Sequence, residues 1–297
     1  MSDIRVAIVG LDTSHSVEFP QRMQAPDCPP GQRVAGMRAV SCLRFETPFQ
    51  GKEGLDRRQA QLEAWGVRVT ADFDTAVSEC DALMIEINDP AYHLDYFLRC
   101  AALGKPIFLD KPLADTLANG RRIAQAAAQH ATKVFSSSSL RFAPALAEAL
   151  AAVPQPGFAT VYGAMGLAPA GSSVIWYGVH AFEMLQRAMG RGAATVDARK
   201  DAMGVVAIVA YPDGRRGVVE LTENHWNYGG CLHSKAGVAP FRVDASRLYS
   251  DELVEVAKFF RGGPAPVAIE DTLEVLALLE ATDRSLRSGA AERAGAA

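Results

Sequence analysis

The stretch that decides the fold is DALMIEINDPAYHLDYFLRCAALGKPIFLDKPLA, residues 81–114. Its first apolar run, Ala82 to Ile87, predicts a buried strand. Asp89-Pro90 then provides a helix N-cap followed by proline at the first helical position, and Gly104 ends the helix that this signal starts. A second apolar run, Ile107 to Leu109, follows directly. A strand, a helix and a strand in this order are typical of a parallel sheet with crossover helices.

The same alternation continues on both sides of this stretch, through the first 140 residues. Further apolar runs predict strands at Ile4–Val9, Ala39–Leu43, Arg68–Ala71 and Lys133–Ser136. The first domain, residues 1–140, is therefore predicted to have an α/β fold built on a parallel sheet.

The second half of the chain has longer strands and a hairpin. Val205–Tyr211 and Gly217–Glu223 flank the turn tripeptide Pro212-Asp213-Gly214. Helices are expected at Val179–Met189, at Asp251–Phe260 behind a Ser250 N-cap, and at Glu270–Arg287. This pattern predicts an α+β domain on a mostly antiparallel sheet, residues 141–297.

The composition is that of an ordinary globular protein, with 297 residues, 49% hydrophobic and 22% charged. The chain has 30 Lys and Arg against 34 Asp and Glu, and the net charge of −4 disfavours nucleic-acid binding, which needs a basic surface. The longest apolar run, Ala202–Tyr211, has ten residues. A membrane helix needs about 18, so no membrane span is expected.

The cysteines and the N-terminus bear on compartment and metal content. The N-terminus enters an apolar run without the charged region and cleavage site of a secretion signal. The cysteines are five in number and lack CxxC spacing: Cys28, Cys42, Cys80, Cys100 and Cys231. Neither a disulfide framework nor a zinc site fits this pattern. The sequence therefore predicts a cytoplasmic protein with reduced thiols and no metal.

The first strand ends in the turn Gly10-Leu11-Asp12-Thr13-Ser14, followed by His15. A strand, a glycine and a helix in this order are typical of a dinucleotide-binding turn, in which helix N–H groups meet the pyrophosphate. In a GxGxxG frame Asp12 stands at the second glycine, where the backbone normally approaches the phosphate, and His15 stands at the third. All five turn residues are interpreted as cofactor contacts, with a polar strand-to-helix turn as the alternative.

A more specific pattern extends over nearly the whole chain. Its segments are, in order, Asn88-Asp89-Pro90 with His93, Gly104-Lys105, Asp110-Lys111-Pro112, Leu140-Arg141-Phe142 with Pro144, Gly178-Val179-His180 with Glu183, and Pro266 to Leu286. They resemble the Thr-Pro-Asn-x-x-His, Gly-Lys, Glu-Lys-Pro, Asn-x-Arg-x-x-Pro and Gly-x-His-x-x-Asp segments and the last helix of the Gfo/Idh/MocA family. That family is named for glucose-fructose oxidoreductase and inositol dehydrogenase. The resemblance implies a divergent member with an N-terminal Rossmann domain and a C-terminal α+β domain.

The resemblance assigns catalytic roles to Lys111 and His180. The family's Glu-Lys-Pro lysine lies beside the nicotinamide and the substrate hydroxyl, where a partly desolvated ammonium is a usable proton-transfer group. The histidine of the second-domain helix acts as the general base, and neutral imidazole suits that role at cytosolic pH. Glu183 is expected to orient its ring. Packing is the alternative role for His180 and for His93.

Further contacts follow from the same resemblance. Cofactor contacts are implied at Arg44, Asn88, His93, Asp110 and Lys111, and substrate contacts at Arg141, Trp176, Tyr177 and Glu183. Leu43 replaces the acidic residue that would bind a ribose 2′-hydroxyl, and Arg44 follows it, which slightly favours NADP over NAD. Trp176 replaces the aspartate that family dehydrogenases place four residues before the histidine. An indole cannot move a proton.

The sequence therefore predicts an NAD(P)-dependent oxidoreductase acting on a CH–OH group of a sugar, a polyol or a related hydroxy compound. The departures at Asp12 and Trp176 leave two alternatives open. One is net non-redox chemistry through a transient ketone on a retained cofactor. The other is a catalytically inactive dinucleotide- or sugar-binding protein. The resemblance also implies a homodimer or homotetramer formed through the C-terminal sheet, with no nucleic acid and no membrane as partner.

Overall fold

The computed structural model describes residues 2–223 and 225–295 of the chain. These residues form two compact units, each built on its own sheet. The first unit contains residues up to 114 together with 118–136 and 249–268. The second contains residues 115–117, 137–248 and those from 269 onward.

The first unit is built on a six-stranded sheet. Its strands are β1 (Ile4–Val9), β2 (Met37–Leu43), β3 (Arg68–Thr70), β4 (Ala82–Ile85), β5 (Ile107–Asp110) and β6 (Val134–Ser137). The order across the sheet is β3-β2-β1-β4-β5-β6, and the paired strands from β3 to β5 run parallel. Strands β4 and β5 are buried throughout, as a sheet covered on both faces requires. The predicted α/β fold is confirmed.

Helices connect these strands: α1 (His15–Gln24), α2 (Lys52–Ala64), α3 (Phe73–Val77), α4 (His93–Ala101) and α5 (Leu117–Gln129). The Asp89 carboxylate accepts a hydrogen bond from the Ala91 N–H at 3.0 Å, and Pro90 opens the short 3₁₀ turn that leads into α4. Gly104 follows α4 at a φ of +65°, a conformation that glycine adopts without strain. The strand order reverses between β1 and β4, and sheets of this kind bind ligands at the carboxyl ends of the strands flanking such a reversal.

The second unit is built on a seven-stranded mixed sheet. Its strands are β7 (Phe158–Met165), β8 (Thr195–Lys200), β9 (Gly204–Ala210), β10 (Arg216–Glu223), β11 (Gly229–Ser234), β12 (Gly237–Arg242) and β13 (Glu292–Arg293). The order is β12-β11-β7-β10-β9-β8-β13; β7 and β10 pair in parallel, and the other pairs are antiparallel. The prediction of a mostly antiparallel sheet is confirmed.

The remaining helices are α6 (Pro144–Ala152), α7 (Val179–Met189), α8 (Leu248–Phe260) and α9 (Ile269–Ser288). Helix α7 packs on β7, β10 and α9 within the second unit. All its residues except Arg187 are buried. A helix so enclosed holds its polar side chains in fixed positions.

Helix α8 belongs to the first unit, although it follows the second sheet in the chain. Phe259 packs edge-on against Phe135, with ring centroids 5.0 Å apart. Ser250 lies inside this helix and not at its N-cap, because the helix already starts at Leu248. The Ser250 hydroxyl donates to the Gln32 carbonyl at 2.8 Å instead of capping the helix. A single boundary after residue 140 therefore does not describe how the chain divides.

Within residues 2–223 and 225–295, none of the helices combines the length and the hydropathy needed to cross a bilayer.

Candidate cofactor and substrate sites

The turn after β1 has the backbone of a phosphate-binding turn. Gly10 has a φ of +110°, and a Cβ there would lie 2.3 Å from the Glu86 carbonyl oxygen, so only glycine fits. Helix α1 starts at the carboxyl end of β1, and the Ser14 carbonyl accepts from the N–H groups of Val17 and Glu18. A helix N-terminus at this place favours an anion, because its first N–H groups and dipole are directed toward it.

Asp12 departs from that pattern in the structure as it does in the sequence. Its carboxylate is buried and accepts hydrogen bonds from the Asn88 N–H at 2.8 Å, the Asp89 N–H at 3.4 Å and the Thr47 hydroxyl at 2.7 Å. Burial raises the pKa of Asp12, and these hydrogen bonds oppose the rise. A carboxylate thus holds two backbone N–H groups beside the turn. Gly10 and the α1 N-terminus fit a dinucleotide, whereas the charge of Asp12 opposes its phosphates.

The rest of the turn is covered by other parts of the first unit. The Leu11 carbonyl accepts from the Arg58 guanidinium at 2.9 Å, and the Thr13 hydroxyl accepts from the His15 N–H at 3.3 Å. Leu11 and Thr13 are buried, whereas Ser14 is exposed. Of the five turn residues, Ser14 therefore offers its side chain most directly to a ligand.

Arg44, the residue expected to select NADP, already has partners in its own unit. Its guanidinium donates to the Asp56 carboxylate and to the Gln59 side-chain carbonyl. Hydrogen bonds from Lys52 and Arg44 lower the pKa of Asp56. A 2′-phosphate at this end of β2 would have to compete with Asp56 for the guanidinium.

His93 and Asn88 both lie at the carboxyl end of β4. The His93 ring is fully buried, with Nε2 2.7 Å from the Ile87 carbonyl oxygen and Nδ1 3.3 Å from the Leu113 carbonyl oxygen. This placement matches the packing role left open for His93. Asn88 is half-buried, and its backbone N–H is held by Asp12.

Lys111 directly follows β5, at the same sheet edge as Gly10. Its ammonium nitrogen is buried and lies 3.9 Å from Asp110 Oδ2, while the other Asp110 oxygen accepts from the Lys111 N–H at 2.8 Å. Burial acts to raise the pKa of Asp110, but the charges of His15 and Lys111 outweigh burial and lower that pKa to about 2. The Asp110 carboxylate therefore stays charged and stabilises the Lys111 ammonium.

Two further ionisable groups, which sequence reasoning missed, complete this edge. His15 Nδ1 lies 2.9 Å from Asp110 Oδ2 and 3.9 Å from Glu86 Oε2. Glu86 is fully buried, and neither of its carboxylate oxygens makes a hydrogen bond within the described residues. Burial raises the pKa of Glu86 well above its ordinary value, and the neighbouring Asp110 and Glu252 carboxylates add to the rise. Glu86 interrupts the apolar run that predicted β4, which is the one signal the sequence carried.

In the second unit, His180 lies in the first turn of α7 and is 8% exposed. Its Nδ1 shares a 2.7 Å hydrogen bond with the Ser138 hydroxyl, which also accepts from the Leu140 N–H at 3.2 Å. Ser138 therefore fixes the ring. Sequence reasoning assigned that role to Glu183, since a serine between β6 and α6 carries no motif.

Glu183 instead forms a buried network with Arg141. The Arg141 guanidinium donates to a Glu183 carboxylate oxygen at 2.8 Å and to the Gln186 side-chain carbonyl at 2.7 Å. Burial raises the pKa of Glu183, and the Arg141 charge opposes the rise. Arg141 and Glu183, both expected as substrate contacts, thus bind one another, and this pair connects Arg141 to α7.

Aromatic side chains surround His180. The centroid of its ring lies 4.9 Å from that of Tyr177 and 6.0 Å from that of Tyr228. Tyr177 also packs edge-on against Trp176 at 5.0 Å and against Trp226 at 5.2 Å. Trp226 is 59% exposed, so an apolar face of this aromatic cluster is open to solvent. Trp176 and Tyr177 lie in a π-helical turn, Val174–Gly178, a form that is frequent at functional sites.

Comparison with protein families connects these features to a known group. Residues 4–138 match the profile of the oxidoreductase family with an NAD-binding Rossmann fold, GFO_IDH_MocA. No curated protein sequence matches the chain.

Solved structures of similar fold extend the comparison over both units. They include an oxidoreductase from Agrobacterium radiobacter in complex with NAD⁺, L-tartaric acid and magnesium, with 13% identity, coverage of 99% of each chain and a TM-score of 0.77. They also include a myo-inositol dehydrogenase from Corynebacterium glutamicum, with 16% identity, coverage of 99% of this chain and 100% of that one, and a TM-score of 0.79. A third is scyllo-inositol dehydrogenase from Lactobacillus casei with bound NAD(H) and scyllo-inositol, with 16% identity, the same coverage and a TM-score of 0.78. At these identities the likeness is one of fold.

Proposed function

Because the chain belongs, through residues 4–138, to the Gfo/Idh/MocA family of oxidoreductases with an NAD-binding Rossmann fold, we propose that it oxidises a CH–OH group of a sugar, a polyol or a related hydroxy compound with NAD(P). The observation that carries this proposal is the position of Lys111. It lies at the end of β5, on the sheet edge where Gly10 and the α1 N-terminus fit a dinucleotide. Fold-level likeness to inositol dehydrogenases supports a carbohydrate-like substrate.

The cofactor would be held by the turn Gly10 to Ser14, with Asn88 and Asp110 along the same edge and Arg44 at the end of β2. A bound nicotinamide supplies the hydride acceptor, and the protein supplies binding, orientation and electrostatics. Asp12 would give up part of its hydrogen bonding or bind the cofactor as the neutral acid, since burial raises its pKa. His93 would support this edge of the first sheet through its contacts with the Ile87 and Leu113 carbonyl oxygens.

Lys111 would hold and move a proton at Nζ. Its ammonium is buried next to the charged Asp110 carboxylate, so the side chain has a fixed position and a fixed partner. A positioned lysine can accept the substrate hydroxyl proton as hydride leaves, or hold that hydroxyl by a hydrogen bond.

His180 would act as the general base on that hydroxyl. If its Nδ1–H donates to the Ser138 oxygen, the other ring nitrogen, Nε2, carries the lone pair that accepts a proton. Arg141 and Glu183 would serve the substrate through α7, by holding the helix that carries His180.

The substrate would lie against the aromatic cluster of Trp176, Tyr177, Trp226 and Tyr228. Aromatic faces pack well against the apolar C–H faces of a sugar ring, and the Tyr177 hydroxyl adds a polar group. Family dehydrogenases have an aspartate at the position of Trp176. Trp176 would contact the substrate through its indole ring where that aspartate would form a hydrogen bond.

Assembly is proposed through the outer face of the second sheet, as the family resemblance implies. Ile208 and Val206 on β9 are 43% and 37% exposed there, and Met203 next to them is 56% exposed. A second copy of the chain would cover these side chains in a homodimer or homotetramer. Light scattering of the wild type and of Ile208→Lys tests this, with a monomeric wild type as the contrary result.

The test of function is turnover with NAD⁺ and NADP⁺ on a panel of inositols, sugars, lactones and hydroxy acids. Lys111→Ala and His180→Ala should each lower turnover by about 10²- to 10⁴-fold, the loss expected for a general acid–base group. The double variant should lose much less than the product, because groups that act as a unit are not additive. Lys133→Ala and His130→Ala, exposed residues of the same types, serve as controls.

A second variant tests the substrate class. Trp176→Asp should raise activity on simple polyols if Trp176 weakens an ordinary dehydrogenase, and it should abolish activity if Trp176 forms part of a different substrate pocket. Dinucleotide binding without turnover of any compound in the panel would contradict the oxidoreductase proposal and favour a binding protein.

A further inference from the structure

The buried cluster of His15, Glu86 and Asp110 has polar atoms without hydrogen bonds. Neither Glu86 carboxylate oxygen makes a hydrogen bond within the described residues, while His15 Nδ1 and Asp110 Oδ2 form an ion pair at 2.9 Å. Glu86 and Asp110 are fully buried, and His15 is 6% exposed. Native proteins satisfy nearly all such groups, so an unsatisfied one needs a physical explanation, of which a bound ion is one.

The spacing of these atoms is that of ligands around one ion. His15 Nδ1 lies 2.9 Å from Asp110 Oδ2 and 3.9 Å from Glu86 Oε2, and one ligand atom from each residue lies within 4.8 Å of the others. Ligands held by one ion at about 2.0–2.2 Å lie roughly 3–4 Å from one another. A cation bound here would take the place of the ion pair between His15 Nδ1 and Asp110 Oδ2 and would also contact Glu86.

The charges of the cluster are also compatible with a bound cation. Glu86 and Asp110 are two buried carboxyl groups, and Lys111 is the positive charge beside them. When Glu86 and Asp110 act as ionised metal ligands, two negative charges face one ammonium, and a divalent cation compensates the excess negative charge. Buried charges that are neither paired nor metal-bound cost several kcal/mol each.

We propose that His15, Glu86 and Asp110 bind one divalent transition-metal ion at the carboxyl edge of the first sheet. One imidazole nitrogen and two carboxylate oxygens suit Zn²⁺ or Mn²⁺, whereas Mg²⁺ and Ca²⁺ prefer oxygen ligands alone. The three ligands come from α1, from the end of β4 and from the end of β5, so an ion there joins three elements next to Lys111. No local motif marks this site, because its ligands are 71 and 24 residues apart in the chain.

The experiment measures metal content and stability of the whole chain. Wild-type protein is stripped with a chelator, dialysed against Zn²⁺ or Mn²⁺ and analysed by elemental mass spectrometry. One ion per chain is expected, with a rise in melting temperature, since a ligand that binds only the folded state stabilises it. Mg²⁺ and Ca²⁺ at the same concentration should leave the melting temperature unchanged.

Glu86→Gln and His15→Ala should each reduce the bound metal to about a tenth or less, in line with the loss of affinity when metal-site groups are removed. Asp89→Asn is the matched control, because Asp89 is a buried carboxylate at the same edge whose capping contact an asparagine oxygen retains. Folding of every variant is verified by circular dichroism.

A Co²⁺ titration uses the wild type alone, so its result does not depend on whether a variant folds. Visible ligand-field bands that saturate at one equivalent support the site. Wild-type protein that takes up no metal would overturn the proposal and leave a proton-sharing network of His15, Asp110 and Glu86. Metal retained at full occupancy in folded Glu86→Gln and His15→Ala would overturn it as well, by locating the ion elsewhere.

Discussion

Two fully enclosed glutamates, one in each unit, have opposite surroundings. Glu183 in the second unit receives a hydrogen bond from the Arg141 guanidinium at 2.8 Å, and Gln186 binds the same guanidinium. Glu86 in the first unit has no hydrogen bond to either carboxylate oxygen within the described residues. In the second unit, Arg141 thus binds the buried Glu183 carboxylate. In the first unit, the proposed metal ion would bind the buried Glu86 carboxylate.

This difference separates a folding role from a binding role. A buried ion pair with all its hydrogen bonds made holds neighbouring elements in one arrangement, here α7 with its His180. A buried carboxyl without a partner raises the free energy of the ligand-free protein, and such strain concentrates at functional sites. The family resemblance implies substrate contacts at Arg141 and Glu183, and none of its motifs includes Glu86.

The largest expected effect comes from breaking the satisfied pair. Arg141→Met leaves the Glu183 carboxylate buried without its cation and should lower the free energy of unfolding by about 3–5 kcal/mol. Urea unfolding followed by fluorescence measures this change. Glu86→Gln, measured in chelator, should change the same quantity by less than about 1 kcal/mol, since no hydrogen-bonded partner is lost. Equal losses in the two variants would remove the distinction between the two glutamates.

A smaller effect is expected at Asp12, a carboxylate with internal partners that stands where a ligand should bind. Asp12→Gly removes a negative charge from the phosphate turn and should tighten NADH binding about tenfold, or about 1.4 kcal/mol. Fluorescence titration of the variant and the wild type measures the two dissociation constants. Asp12→Asn, which removes the charge and keeps the size, should give part of this gain. Weaker binding by Asp12→Gly would mean that the carboxylate contacts the cofactor favourably.

The smallest effect is expected at Arg44, whose guanidinium already binds Asp56 and Gln59. NADPH should bind only a few-fold more tightly than NADH, because the 2′-phosphate competes with the Asp56 carboxylate for a half-buried guanidinium that is already hydrogen-bonded. Arg44→Ala should abolish that preference and leave NADH binding unchanged. A preference for NADH in the wild type would show that the negative charge of Asp56, and not the positive charge of Arg44, determines which cofactor binds at this end of β2.

The strands could be predicted because their signals are local. The apolar runs of β1, β4 and β5, and the Asp-Pro and Gly signals around α4, depend on neighbouring residues alone. The packing of one element against another does not depend on neighbouring residues alone. Helix α8 joins the first unit through contacts such as Ser250 with Gln32, 218 residues away in the chain, and no pattern of apolar spacing records them.

The candidate sites divide in the same way. A family motif located Lys111 and His180, and the structure places each at the end of a buried element with a fixed partner. Ser138, His15 and Glu86 belong to no motif, and their roles depend on neighbours that only the folded chain brings close to them. Sequence reasoning therefore identified the residues that family likeness marks and missed those that hold or complete them.

The most direct test of the oxidoreductase proposal is titration of the purified wild-type chain with NADH and with NADPH, followed by nicotinamide fluorescence. The chain should bind at least one of the two saturably at micromolar concentration, and addition of the oxidised form of a substrate should then consume the bound reduced cofactor. No binding of either cofactor up to millimolar concentration would contradict the oxidoreductase proposal and would mean that Asp12 prevents dinucleotide binding at the turn.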